Sequence, residues 1–394
     1  MTREIDRSTL VKRYDRAPSA TLYTLRALTR DLFAEKQTQR NVIAVPPIEL
    51  HWHRFKVSQQ VLESLSALTE LELEACALLA PHVAGFRLVM AILTSDAFPI
   101  TIQRSLQTRN HLLRHGTLRP GHPYDLKART VSSRVIERGL EVDIHVTLTD
   151  GGALIWESLL TFFYRGSFGE ADQPSVLAKS PPIVLSSLDN WRMPDGKPLL
   201  MGYLTGDFNP LHFSNWYARA RGAQRAFFHP PHAIGLCLSR LGPLNRTGRE
   251  RLDMWLKGPV PYGALVRLSV DQSAQDTTFA LALEEEARPC LVGRWVVAQG
   301  PLFSPEGETA SHVNHDKQGS VSRSGCQACE VTAETGSRYD VREVNRMIPD
   351  WIICPCRDKV RPQRYGEEHQ AGQQRSSSSI TGNERGNPSC GDAA

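Results

Sequence analysis

The chain has 394 residues, 41% hydrophobic, 22% charged and 7% aromatic, a globular balance that excludes wholesale disorder and favours two folded units with accessory segments. Its 46 Lys and Arg against 42 Asp and Glu leave a net charge of +4, too mild for a nucleic-acid or anionic-membrane partner but compatible with a polyanionic small ligand. No apolar run reads as approaching the roughly 18 residues of a membrane span, and residues 1–16 are studded with charge where a signal peptide would be apolar, so a soluble cytoplasmic protein is expected.

In chain order, residues 1–44 read as an irregular arm. Within it a helix is predicted over 19–34, with Ser19 as N-cap and Leu22, Leu25, Leu28 and Leu32 at helical spacing. Residues 45–169 form a first unit: an apolar helix over 81–95, then strand-like runs at 124–131, 140–148 and 153–164. Thr149-Asp150-Gly151-Gly152 between the last two is a hairpin signal. A Pro-containing linker spans 170–185. Residues 186–304 repeat the pattern, with an apolar helix over 233–241 and strand-like runs at 251–256, 265–272, 277–285 and 289–297. One helix followed by an antiparallel meander, occurring twice, predicts an α+β fold in which a sheet wraps a central helix in two copies. Their edge strands can pair into one larger sheet.

Residues 305–394 are a low-complexity tail rich in Ser, Gly, Gln, Arg and Glu, expected to be largely disordered because it cannot bury enough surface to offset its ordering entropy. The apolar residues of 341–356 suggest one short docking element there. Cys326-Gln-Ala-Cys329 and Cys354-Pro-Cys356 invite a zinc reading, but the single-residue spacing of the second pair and the missing hairpin pattern favour no metal. Cys76, Cys237 and Cys290 sit alone in apolar stretches as buried thiols, so no disulfide framework is expected. His51 and His53 can share one face of a strand, but without a third ligand nearby they read as surface or pocket-lining residues.

The stretch that carries chemistry is Tyr203-Leu-Thr-Gly-Asp-Phe-Asn-Pro-Leu-His212. Asn209-Pro210 initiates a turn and Gly206 adds a flexible point, so Asp207 and His212 can converge as a general acid/base pair. The plainer alternative is that Asp207 and Asn209 cap a helix over 214–220 while His212 packs beside Trp216.

This stretch resembles the signature of the MaoC-like acyl dehydratases, also called R-specific enoyl-CoA hydratases, through Tyr203, Thr205, Gly206, Asp207, Asn209, Pro210, Leu211 and His212. Ala218, Gly222, Arg225, Ala226 and His229 continue the likeness. It covers roughly 186–300, and more weakly the first unit, which resembles the degenerate amino-terminal half of double hot-dog members. The resemblance implies a double hot-dog fold and reversible hydration of trans-2-enoyl thioesters to (R)-3-hydroxyacyl thioesters. It makes Asp207 and His212 the dyad, with Asn209 in support, and places Tyr203, Thr205, Gly206, His229, His232 and Arg225 around the substrate. No cofactor is implied beyond coenzyme A as part of an acyl-CoA substrate, which is preferred to an acyl carrier protein; a homodimer is compatible.

No second Gly-Asp-x-Asn-Pro-x-His stretch occurs between Val45 and Gly166, so one half alone would hold a dyad and the other would widen the cavity for a longer acyl chain. One departure stands out. The family's second His is usually followed by Gly, whose N–H helps hold the thioester carbonyl, whereas here Pro230 and Pro231 follow His229, and proline has no N–H. Either the His232 amide takes over or the oxyanion hole is impaired, which leaves a catalytically impaired acyl-thioester binding protein as the alternative function.

Overall fold

The computed structural model describes residues 9–33, 44–172, 174–182, 186–242, 249–272 and 276–297. They form β1 (Leu10–Tyr14), α1 (Ala20–Phe33), β2 (Ile48–Phe55), α2 (Gln59–Thr69), α3 (Leu73–Leu93), β3 (Ser105–Arg114), β4 (Tyr124–Ile136), β5 (Gly139–Asp150) and β6 (Ala153–Arg165). The second half adds β7 (Ser186–Arg192), α4 (Pro198–Thr205), α5 (Asn215–Ala220), α6 (Pro230–Leu241), β8 (Glu250–Leu256), β9 (Leu265–Gln272), β10 (Asp276–Leu283) and β11 (Pro289–Val297). The tail cysteines and the 341–356 segment lie outside the described residues.

All the strands join one sheet in the order β1-β2-β4-β5-β6-β3-β8-β11-β10-β9-β7. Each half repeats one topology. From the outer edge inward its strands run first, third, fourth, fifth, second in chain order: β2-β4-β5-β6-β3, then β7-β9-β10-β11-β8. The halves meet where β3 and β8 pair antiparallel, His111 opposite Asp253. The expected double hot-dog is therefore present, with its edges paired into one sheet.

The period-two pattern decides which face wraps the helices. Along β5 the inward residues Leu140, Val142, Ile144, Val146 and Leu148 are buried against the helices, as are Trp156, Leu160, Phe162 and Tyr164 along β6. In the second half Leu252, Met254, Val266, Leu268, Phe279, Leu281 and Leu291 surround Ile234, Leu236, Cys237 and Leu238 of α6. At about 1.5–3 kcal/mol per fully buried apolar side chain, these rows are the main favourable term. The β5–β6 turn fits its residues: Gly151 and Gly152 both have positive φ (55° and 91°), as a two-residue primed turn requires.

Several expectations change. The first central helix extends over Leu73–Leu93, with Pro81 inside it and not at its start. It is long and apolar enough to cross a membrane, contrary to the reading of the sequence, yet it is mostly buried as the core of the first half. Helices α2 and α4 and strand β3 are additions. On α1, Leu22 and Leu25 of the leucine row are exposed, while Tyr23 and Ala27, one turn apart, are buried.

In the middle of the sheet the outer face is charged yet buried. Arg109 and Arg134 pair with Glu141, Arg134 also pairs with Asp143, and His115 and His145 share Glu157. Two pairs cross the seam between halves: His111 with Asp253 at 2.7 Å and Arg114 with Glu250 at 3.2 Å. The linker crosses this face, where the Leu177 carbonyl accepts a hydrogen bond from Trp255 Nε1.

Candidate active site

The loop after α4 is built by a chain of local hydrogen bonds. Helix α4 opens with Pro198 and stops at Gly206, whose φ of 75° lies in the left-handed region and whose N–H returns to the Gly202 carbonyl. Thr205 Oγ1 donates to the Met201 carbonyl and accepts from the Asp207 N–H at 3.1 Å. Asp207 Oδ1 then accepts from the Asn209 N–H, and Asn209 Oδ1 accepts from the Leu211 N–H, capping a single 3₁₀ turn over Pro210–His212. That turn brings His212 Nε2 to 3.7 Å from Asp207 Oδ2.

At 3.7 Å the pair is too far apart for a direct hydrogen bond. The His212 Nδ1–H donates to the Phe227 carbonyl at 3.0 Å, which leaves Nε2 as the ring nitrogen facing the carboxylate. His229 stacks on His212 with ring centroids 3.8 Å apart and donates from Nε2 to the Asp207 carbonyl at 3.0 Å. Burial, followed by the neighbouring His212, holds the His229 imidazole well below its ordinary pKa, so it stays neutral and its buried Nδ1 remains an unpaired acceptor. His212, His229 and Thr205 are buried; Asp207 is half-buried.

The helix-cap alternative does not describe this loop. Ser214 caps α5, accepting from the Tyr217 N–H, and Trp216 is exposed while His212 packs on Phe227 and His229. The other residues singled out in the sequence make contacts of their own. Tyr203 is 67% exposed, and Arg225 donates to the Tyr262 carbonyl. The buried His232 ring donates from Nε2 to the Leu68 carbonyl at the end of α2. Its amide is not free: His232 N–H and Ala233 N–H both bond back to the His229 carbonyl, at 3.0 and 3.3 Å, and Pro230 and Pro231 occupy the first turn of α6.

Two residues at this site carry no signal in the local sequence. Tyr23 of α1 donates from Oη to the Gly206 carbonyl at 2.6 Å, and Arg87 of α3 donates to the Tyr203 carbonyl at 2.7 Å. As metal ligands, Asp207, His212 and His229 each place one donor atom within 4.8 Å of the others. One nitrogen of each imidazole already serves a carbonyl, which leaves one ring nitrogen apiece beside the carboxylate. His51 and His53 of β2 are paired with Glu49 and Asp125 beside a cavity of about 240 Å³ on the outer surface.

No family model and no curated protein matches the sequence. Among solved structures, HtdX of Mycobacterium tuberculosis superposes with a TM-score of 0.53 and 19% identity, covering 63% of this chain and 98% of that one. A MaoC-like dehydratase from Phytophthora capsici gives 0.52 and 15% identity, covering 66% and 97%. With its repeated topology and these likenesses, the chain has the double hot-dog fold of the MaoC-like dehydratases.

Proposed function

We propose that the protein is a MaoC-like hydro-lyase that interconverts trans-2-enoyl and (R)-3-hydroxyacyl thioesters, with Asp207 and His212 as its acid/base dyad. The observation that carries this reading is the dyad geometry: His212 Nε2 and an Asp207 carboxylate oxygen 3.7 Å apart, with the opposite ring nitrogen committed to a carbonyl. Both can contact one water molecule. In hydration the water oxygen attacks Cβ as the dyad takes its proton, and Cα receives a proton from the same side, so water adds across the double bond with no net change in proton count. Asn209 supports the step by capping the turn that carries His212. The thioester carrier is coenzyme A, and the reaction needs no further cofactor.

The second reading, an acyl-thioester binding protein with little turnover, is favoured by one observation. The developing enolate oxygen needs hydrogen-bond donors, and the first two residues of α6 are prolines while the next two amides serve the His229 carbonyl. Loss of one such donor costs about 10²–10³ in rate. The test follows enoyl-thioester absorbance with crotonyl-CoA and trans-2-decenoyl-CoA for the wild type, Asp207→Asn and His212→Ala. Loss of absorbance with an (R)-3-hydroxy product, abolished in both variants, supports the hydro-lyase. Binding without turnover supports the second reading.

A further inference from the structure

We propose that Tyr23, carried by the arm outside both hot-dog halves, is a positioning residue for Asp207, an inference that rests on the hydro-lyase reading. Its hydroxyl donates to the Gly206 carbonyl at 2.6 Å, and the other end of that same peptide group, the Asp207 N–H, donates to Thr205 Oγ1 at 3.1 Å. On the far side of Asp207, His229 holds the next carbonyl, and the Asn209 N–H holds Oδ1. Both peptide planes flanking the acid are thereby fixed, which turns Oδ2 toward His212.

The approach of Tyr23 is built into the sequence at position 206. A side chain there would begin 2.1 Å from Tyr23 Oη and 2.8 Å from Arg87 Cγ, so only glycine admits both. Tyr23 is 3% exposed. Its hydroxyl is pushed upward in pKa chiefly by burial, against the Arg87 charge and with the Asp207 charge, and it remains a donor near neutral pH. The arm that delivers it is docked independently of the dyad: Arg30 donates to the Ser95 and Phe98 carbonyls at 2.7 and 2.6 Å, and Gln103 donates to the Ala27 carbonyl at 2.7 Å. Arm, first half and second half thus meet at the peptide before the proposed acid.

The test uses the full-length chain and the conservative variant Tyr23→Phe, which deletes one oxygen. A positioning role predicts that kcat on the enoyl-CoA falls about tenfold while KM stays within about twofold, because Tyr23 orients the acid without touching substrate. Hydrogen exchange at the Asp207 and Asn209 amides should rise about tenfold, with the α6 amides unchanged. Gly206→Ala, which keeps Tyr23 but blocks its approach, should give the same split. Thr29→Ala, on the exposed side of α1 where Oγ1 donates to the Leu25 and Arg26 carbonyls of its own helix, should leave both readouts at wild-type values. Wild-type kcat and exchange in Tyr23→Phe, or an equal loss in Thr29→Ala, would overturn the proposal. If the wild type turns over no enoyl thioester, the hydro-lyase reading fails on its own, and amide exchange still decides whether Tyr23 holds the loop.

Discussion

Lowering the pH from 7 to 5 should destabilise the fold through histidines that are buried neutral. His82, in the middle of α3, and His232, in the first turn of α6, are both pushed by burial from 6.5 to about 4. Because the folded-state value lies below the unfolded one, the unfolded chain takes up the proton first. Stability is therefore full above about 6.5 and falls as the pH drops toward about 4. At pH 5 the difference in proton binding amounts to about 2 kcal/mol per histidine, or about 4 kcal/mol for the two. His229 acts in the same direction. The assay is urea denaturation at pH 7, 6 and 5, followed by tryptophan fluorescence, for the wild type and the double variant His82→Gln/His232→Gln. Glutamine can still accept from Asn110 at position 82 and donate to the Leu68 carbonyl at 232, but it does not titrate. The variant should lose about 4 kcal/mol less than the wild type over this range. An equal loss in both would refute the reasoning. Acidic groups act in another window: burial pushes Asp253 up, but the His111 hydrogen bond and charge together with Arg251 outweigh it and lower the carboxyl from 3.8 to about 2, so its stabilisation is present above 3.8 and lost as the pH falls through about 2.

Two further outcomes follow from the same geometry. Pro230→Gly places an N–H directly after His229, so if the missing oxyanion donor limits turnover, kcat should rise by up to about 10²-fold with KM little changed, and an unchanged kcat would locate the donor elsewhere. Asp253→Ala leaves His111 and Arg251 without their shared carboxylate at the β3–β8 seam and should cost about 3–5 kcal/mol in a chemical denaturation series; a loss below about 1 kcal/mol would show that the pair contributes little.

What was legible in the sequence was local. Gly206, Asp207, Asn209 and Pro210 write their own turn, and the paired glycines at 151 and 152 write a hairpin, because each conformation is set within four residues. The inward apolar rows of β5, β6 and β8–β11 were legible for the same reason. Strand β3 was not, since its outward positions carry Arg109 and His111, buried only because Glu141 and Asp253 come to meet them from other strands. On α1 the leucine spacing drew attention away from Tyr23, whose carbonyl partner lies 183 residues along the chain. Arg87 reaches Tyr203 across 116 residues, a pairing that no periodicity announces. The commitment of the His232 amide to His229 depended on where α6 begins, a boundary that the two prolines left open.

The seam between β3 and β8 has a kinetic meaning as well as an architectural one. Where two hot-dog units are separate chains, the sheet they share comes apart on dilution; here both strands belong to one chain, and the linker fixes their effective concentration. The half without the Asp-His loop is therefore never lost from the half that bears it, however dilute the protein. Its α3 lends Arg87 to the backbone of the other half without bearing an Asp-His loop itself.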